Sequence, residues 1–165
     1  MEYQFTLRYQ LAAQDSDALA VAERLGGGGC DDAVVGIGLP GRVALAFTRE
    51  APDAGQAIQS ALADVQRIVP AAVLIEVAPD LVGLTDAAGI VGVSRQNMRK
   101  LMLASSGGFP APVHEGSTAI WHLSDILSWL QSKGSYALSG QVIEVARVAM
   151  AVNVAKEARR LAPPL

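Results

Sequence analysis

Between Leu84 and Gln131 lies the pattern that most narrows what this chain can fold into. A short apolar stretch opens at Thr85, a turn follows around Gly92, and a second helical stretch begins after Ser94. Thr85 and Ser94 belong to the residue types that cap helix N-termini, and Asp86 puts a negative charge where the helix dipole favours it. Ala88 and Gly92 stand four residues apart, as two closely crossing helices require. Gly89 sits mid-helix at a cost of about 1 kcal/mol against alanine, with no compensating reason visible in the sequence. In the second helix Met98, Leu101 and Met102 form an inward stripe at i, i+3, i+4 spacing. The opposite side presents Arg95, Gln96, Arg99 and Lys100, with Asn97 at its edge. Arginine and lysine grip phosphate or guanine, and glutamine and asparagine pair with adenine. Such a pair of helices predicts a helix-turn-helix whose second helix enters the DNA major groove.

Phe109-Pro110-Ala111-Pro112-Val113 and Ala119-Ile120-Trp121 flank a polar turn at Glu115-Gly116, which predicts a small hairpin, a wing. Ser124 is then expected to cap another short helix through Gln131, with Ile126, Leu127, Trp129 and Leu130 apolar. Trp121 and Trp129 are expected in the core. The segments GLTDAAGIVGVSRQNMRKLM, FPAPVHEG and IWHLSDILSWLQ together resemble the MerR-type and phage-excisionase-type winged helix-turn-helix regulators. The resemblance covers 48 of the 165 residues. It implies that the second helix reads the major groove and that the wing tip touches backbone or minor groove. Carried onto this chain, the implied DNA-contacting positions are Ser94, Arg95, Gln96, Asn97, Arg99 and Lys100, with His114, Ser117 and Thr118 on the wing; Thr85 joins them at the start of the first helix. Relatives often carry arginine after the wing tryptophan. His122 stands there instead, which implies a weaker phosphate grip.

Charge divides the chain. Residues 1–80 hold five arginines and no lysine against eleven acids, whereas residues 81–165 hold eight basic residues against five acids. An overall formal charge of −3 would argue against nucleic acid if net charge were the footprint. The local charge of the docking surface matters more, and the helix carrying Arg95 lies in the basic half. Cys30 is the single cysteine, so no intrachain disulfide can form, and it reads as a small residue in a loop or strand start. The start Met1-Glu2-Tyr3-Gln4 lacks the basic and apolar regions of a signal peptide. Apolar tracts broken by Glu76, Glu144 and Arg147 fall short of the roughly 20 residues of a membrane helix, so a cytoplasmic location is expected.

Residues 1–79 read as alternating element types. Tyr3, Phe5, Leu7, Tyr9 and Leu11 alternate with polar residues, a strand with one buried face. Asp15 or Ser16 is expected to cap a helix over 18–25 that buries Leu19, Ala22 and Leu25, ended by Gly26 to Gly29. That glycine run follows a helix and leads into a strand, the wrong context for a phosphate cradle, so it reads as a loop. Ala33 to Ile37 and Val43 to Phe47 flank Gly38-Leu39-Pro40-Gly41-Arg42, a β-hairpin. A helix from Pro52-Asp53 to about Ile68 stops at Pro70, and Val73 to Val77 makes a fourth strand. Strand, helix, strand, strand, helix, strand predicts an α+β fold, a ferredoxin-like βαββαβ sandwich. Arg8, Gln10 and Arg49 are expected toward its second face, which is solvated or covered.

Beyond a polar link over 134–140, a long helix is expected from Gln141 to Leu161. Its apolar positions wrap more than half the circumference, so burial on two sides is expected. Val142, Val145, Ala149 and Val152 suit packing along a partner helix, which predicts a homodimer through 141–161. Three units follow: an α+β domain (1–79), a winged helix-turn-helix (80–132) and a dimerisation helix (138–162). His114, His122 and Cys30 form no zinc pattern, and no nucleophile sits in a recognisable elbow, so neither catalysis nor a metal or other cofactor is expected. The expected function is a sequence-specific, double-stranded-DNA-binding transcriptional regulator, a repressor by default. The alternatives are an antitoxin or adaptor whose N-terminal domain captures a protein partner, or a sensor binding a small molecule there.

Overall fold

The computed structural model describes residues 1–104, 108–134 and 136–162. Part of the 134–140 link therefore lies outside the described residues. The chain is a mixed α+β protein built on a four-stranded antiparallel sheet, with six α-helices among the described residues.

The strands are β1 (Glu2–Gln10), β2 (Ala33–Ile37), β3 (Arg42–Glu50) and β4 (Val73–Ala78), in the order β2-β3-β1-β4. The alternation in β1 is reproduced: Tyr3, Phe5, Leu7 and Tyr9 are buried, and Glu2, Gln4, Arg8 and Gln10 are exposed. In β3, Val43, Leu45 and Phe47 fall opposite Tyr9, Leu7 and Phe5 and continue that buried face. Phe5 stacks on Phe47 with ring centroids 5.2 Å apart. A register shift between Arg8 and Tyr9 marks a bulge where β1 meets β4.

Helices α1 (Ala18–Gly27), α2 (Ala54–Ile68) and α6 (Gly140–Leu161) contribute to the core on the buried face. Asp53 caps α2: its carboxylate accepts the Gln56 backbone N–H at 2.8 Å and the Gln56 side-chain amide at 2.9 Å. The first bond satisfies one of the backbone donors that a helix start leaves open, and the Gln56 N–H holds the Asp53 carboxyl below its usual range. Three local expectations fail. The cap of α1 is Asp17, not Asp15 or Ser16, because a short 3-10 turn over Ala13–Asp15 intervenes. With the helix phased that way, Val21 and Leu25 are buried while Leu19 is exposed. Arg49 does not reach the second sheet face. It is an inward residue of β3, mostly buried, and bonds Asp32, Asp64, Ser60 and the Gly29 carbonyl while lying 5.0 Å from the centre of the Phe47 ring. That pairing lowers the Asp32 carboxyl and raises the guanidinium further.

The second part holds β5 (Leu81–Val82), α3 (Leu84–Val91), α4 (Arg95–Ala104), β6 (His114–Glu115), β7 (Ala119–His122) and α5 (Leu123–Lys133). Its three strands lie in the order β5-β7-β6. Its core gathers Val82, Ala87, Ala88, Met98, Trp121, Leu123, Ile126, Leu127 and Leu130. Two expected caps are corrected. The residue before α3 is Gly83, which leaves Thr85 inside the first turn with no capping bond. Likewise α5 starts at Leu123, so Ser124 is a buried residue of the helix and not its cap.

Helix α6 is buried on two sides, and both sides are its own chain. Val145 and Ala149 complete the first core, while Ile143 and Ala146 complete the second. The stripe expected to meet a partner helix packs within its own chain, with Val145 and Ala149 buried and Val142 and Val152 partly buried. Glu144 accepts the Ala54 N–H at the start of α2 at 3.3 Å, and Asn153 holds both the N–H and C=O of Val77 in β4. The same Asn153 donates to Asp80 at 2.9 Å, whose other oxygen meets His122 Nδ1 at 2.7 Å. This buried polar chain joins α6, the β4–β5 link and the β7–α5 junction.

Candidate nucleic-acid interface

The turn between α3 and α4 is built by Gly92. Its φ of +88° lies in the left-handed region, and the N–H groups of Gly92 and Val93 both donate to the Ala88 carbonyl at 2.9 and 3.0 Å. This is a glycine helix stop of the kind that satisfies orphan carbonyls. A methyl group on Gly92 would meet nothing within 4 Å, so glycine stands here for its dihedral angle and not for close helix approach. The close approach falls to Ala88, which is buried. Ser94 caps α4 by accepting the Asn97 N–H at 3.1 Å.

With the start of α4 fixed, its faces follow. Met98 is buried, and Leu101 and Met102 pack at the margin of the second core. Arg95, Gln96, Asn97, Arg99 and Lys100 are all exposed. Among the described residues, none of the three cations on this helix enters an ion pair. Arginines with no acidic partner, on a helix seated on its core by Met98, remain available to a polyanion.

The β6–β7 hairpin stands beside this helix. Ile120 and Ala119 pair with His114 and Glu115, leaving Gly116, Ser117 and Thr118 at the tip. The His114 ring lies across Gly116, where an added methyl would approach its Nε2 to 2.8 Å. The hairpin is anchored from below. Trp121 donates to the Pro110 carbonyl at 2.9 Å, and Phe109 packs edge-on against Trp121 and Trp129. Both tryptophans are thus engaged in packing, as expected. On the far side, β5 pairs Leu81 and Val82 with His122 and Trp121.

A groove of about 460 Å³ runs between α4 and the hairpin. Arg95 and Arg99 line one wall, Ser117, Thr118 and Glu115 the other, and Trp121, Phe109 and Met102 contribute apolar lining. Four of the ten sequence-predicted residues are thereby brought to one groove. Gln96, Asn97 and Lys100 are exposed on the same helix without lining it, and His114 caps the hairpin tip. Ser94 is spent as a cap. Thr85 is not brought to this site: it lines a different cleft with Arg8, Glu76 and Pro79. Glu115 was not singled out from sequence, although its place before the turn glycine puts it at the tip. It sets one negative charge against the two arginines. His122, noted for replacing an arginine, is turned inward to Asp80 and does not present its ring to the groove.

Among the described residues no helix is long and apolar enough to cross a membrane, and no cluster of three or more metal-ligating side chains is present. Compared with known proteins, the chain matches no family model, no curated protein and no solved structure.

Proposed function

We propose that this chain is a sequence-specific DNA-binding transcriptional regulator. In this reading residues 80–132 act as a winged helix-turn-helix and residues 1–79 as a ferredoxin-like sandwich that carries it. The observation that supports it best is the groove in which Arg95 and Arg99 of α4 face Ser117 and Thr118 of the hairpin. A rigid helix with free cations and amides, flanked by a short hairpin with hydroxyl groups, matches what duplex DNA demands: base edges from a helix in the major groove and phosphates from both. The strand order β2-β3-β1-β4, together with its two helices, supports the sandwich assignment.

Mechanistically, α4 enters the major groove. Arg95, Arg99 and Lys100 neutralise phosphate or take guanine, and Gln96 and Asn97 choose adenine. Ser117, Thr118 and His114 hold the flanking backbone. The proposed outcome is repression by occupying a promoter.

The test is selection of randomised duplexes by the purified full chain, followed by sequencing. A defined motif is expected, with its affinity falling as salt rises. Arg99→Ala should weaken binding roughly tenfold or more, the loss of about 1–3 kcal/mol expected for one bidentate base contact. Gln96→Ala should change the selected motif at one position. No enriched motif, or an identical motif and affinity in both variants, would sink the assignment.

A further inference from the structure

The two edges of the four-stranded sheet are treated differently. At the β4 edge, Asn153 of α6 bonds the Val77 N–H at 2.9 Å and its C=O at 2.8 Å, and Lys156 donates to the Ile75 carbonyl. Side chains thus occupy the row of backbone groups that another strand would otherwise use. At the β2 edge nothing equivalent is found. The Thr48 N–H donates to the Asp32 carbonyl, and the register continues with Val34 opposite Ala46 and Gly36 opposite Ala44. Hydrogen-bonded pairs alternate in an antiparallel ladder, so Val34 and Gly36 turn their backbone toward β3 while Ala33, Val35 and Ile37 turn theirs outward. The Ala33 N–H is taken by the Cys30 carbonyl. Among the described residues, no bond from elsewhere reaches the outward groups of Val35 or Ile37.

Exposed edges are usually blunted by lysine, proline or a covering element. Ala33-Val34-Val35-Gly36-Ile37 has no charge and no proline, and Val34 and Ile37 are 75% and 48% exposed. The segment also fits itself. Placed antiparallel about a two-fold at Val35, the two Val35 residues exchange both backbone bonds, and each Ile37 N–H reaches the other copy's Ala33 carbonyl. Val34 then falls opposite the other copy's Gly36, filling the space that glycine leaves. Within the chain Gly36 has no evident reason to be glycine, since an added methyl would meet only the Ala44 carbonyl at an ordinary 3.7 Å. Asp31 and Asp32 fall opposite Leu39 and Gly38, so no acid faces an acid.

We propose that two copies of this chain pair through β2, joining their sheets into one continuous eight-stranded sheet. The pairing is independent of whether α4 reads DNA. It supplies a two-fold axis from a surface other than α6, whose apolar stripe is already buried.

Sedimentation velocity on the full chain at micromolar concentration should show a dimer. Val35→Pro removes an outward N–H that β3 does not use, a substitution edge strands tolerate. It should yield a monomer with unchanged far-UV circular dichroism, the dimer weakening roughly tenfold or more from the lost ladder bonds. A second measurement fixes the register independently of that variant's folding. Residues 34 and 36 of opposite copies form a non-hydrogen-bonded pair with Cα atoms about 4.5 Å apart, within disulfide reach. Oxidation of the V34C/G36C double variant should therefore give a covalent dimer, and neither single variant should. A monomeric wild type, a dimer that persists in folded Val35→Pro, or a double variant that crosslinks no better than the singles would overturn the proposal.

Discussion

The two cores of this molecule use charge in opposite ways. Around the large sheet, the most buried cation, Arg49, is consumed by Asp32, Asp64 and Ser60, and three of the other four arginines there pair as well: Arg8 with Glu76, Arg24 with Asp15 and Arg67 with Asp64, while Arg42 at the start of β3 stands exposed and, among the described residues, outside any ion pair. Around the small sheet, Arg95, Arg99 and Lys100 stand exposed on α4 beside the β6–β7 hairpin. A folded chain gains little from isolated surface cations, whereas a polyanion gains from them by releasing its counterions.

That contrast can be broken experimentally, and the largest effect lies with Arg49. Arg49→Ala leaves Asp32 without its cation and Asp64 with only the exposed Arg67, and should cost about 3 kcal/mol of unfolding free energy, measured by urea denaturation. DNA affinity per folded molecule should not change. Arg99→Ala should do the reverse, so a variant that moved both readouts would dissolve the distinction. Next in size, Asn153→Ala strips the Val77 backbone and Asp80 of a buried partner at a cost of about 2 kcal/mol. Because Asn153 joins the two cores, the variant should also separate their unfolding into two calorimetric transitions, and a single sharp transition would contradict that. Smaller again, Ser94→Ala removes the cap of α4 and should cost about 1 kcal/mol, visible as faster amide exchange at Asn97.

The smallest effect is set by pH. The carboxyls of Asp32 and Asp53 are held below the ordinary aspartate value. Their contribution is therefore fully present above about pH 3.9, the unfolded value, and is lost as pH falls through their lower folded values. Acid titration followed by circular dichroism should show the sheet region loosening in that window, and replacing Asp32 with Asn should flatten the slope.

Much of the fold was readable because it is locally encoded. The alternation of β1, the hairpin from Ala33 to Phe47, the Asp53-to-Ile68 helix and the Gly92 stop all follow from neighbouring residues. The misreadings share a cause. Asp15, Thr85 and Ser124 are all good capping types, but which residue caps depends on where the backbone first turns helical, and Asp17, Gly83 and His122 took those places. Two-residue β5 was invisible because its pairing comes from β7, some forty residues away. Arg49 looked like a residue of the second sheet face until Asp32 and Asp64 were brought to it. The face of α4 was legible from its 3.6-residue period, while the companion wall of the groove, with Glu115, needed the hairpin in place. Helix α6 shows the limit most plainly: its sequence announces two apolar faces but not whose surfaces will cover them.

That double burial has a consequence for how the molecule is made. Val145 and Ala149 close one core, Ile143 and Ala146 the other, and Asn153 ties the Val77 backbone 76 residues upstream. While the chain is being synthesised, both cores stay open on one side until residues 140–161 have emerged from the ribosome. Helix α4 and the sheet then become firm in the same late event. A nascent chain stalled before that point would present two apolar surfaces at once, a natural client for chaperones.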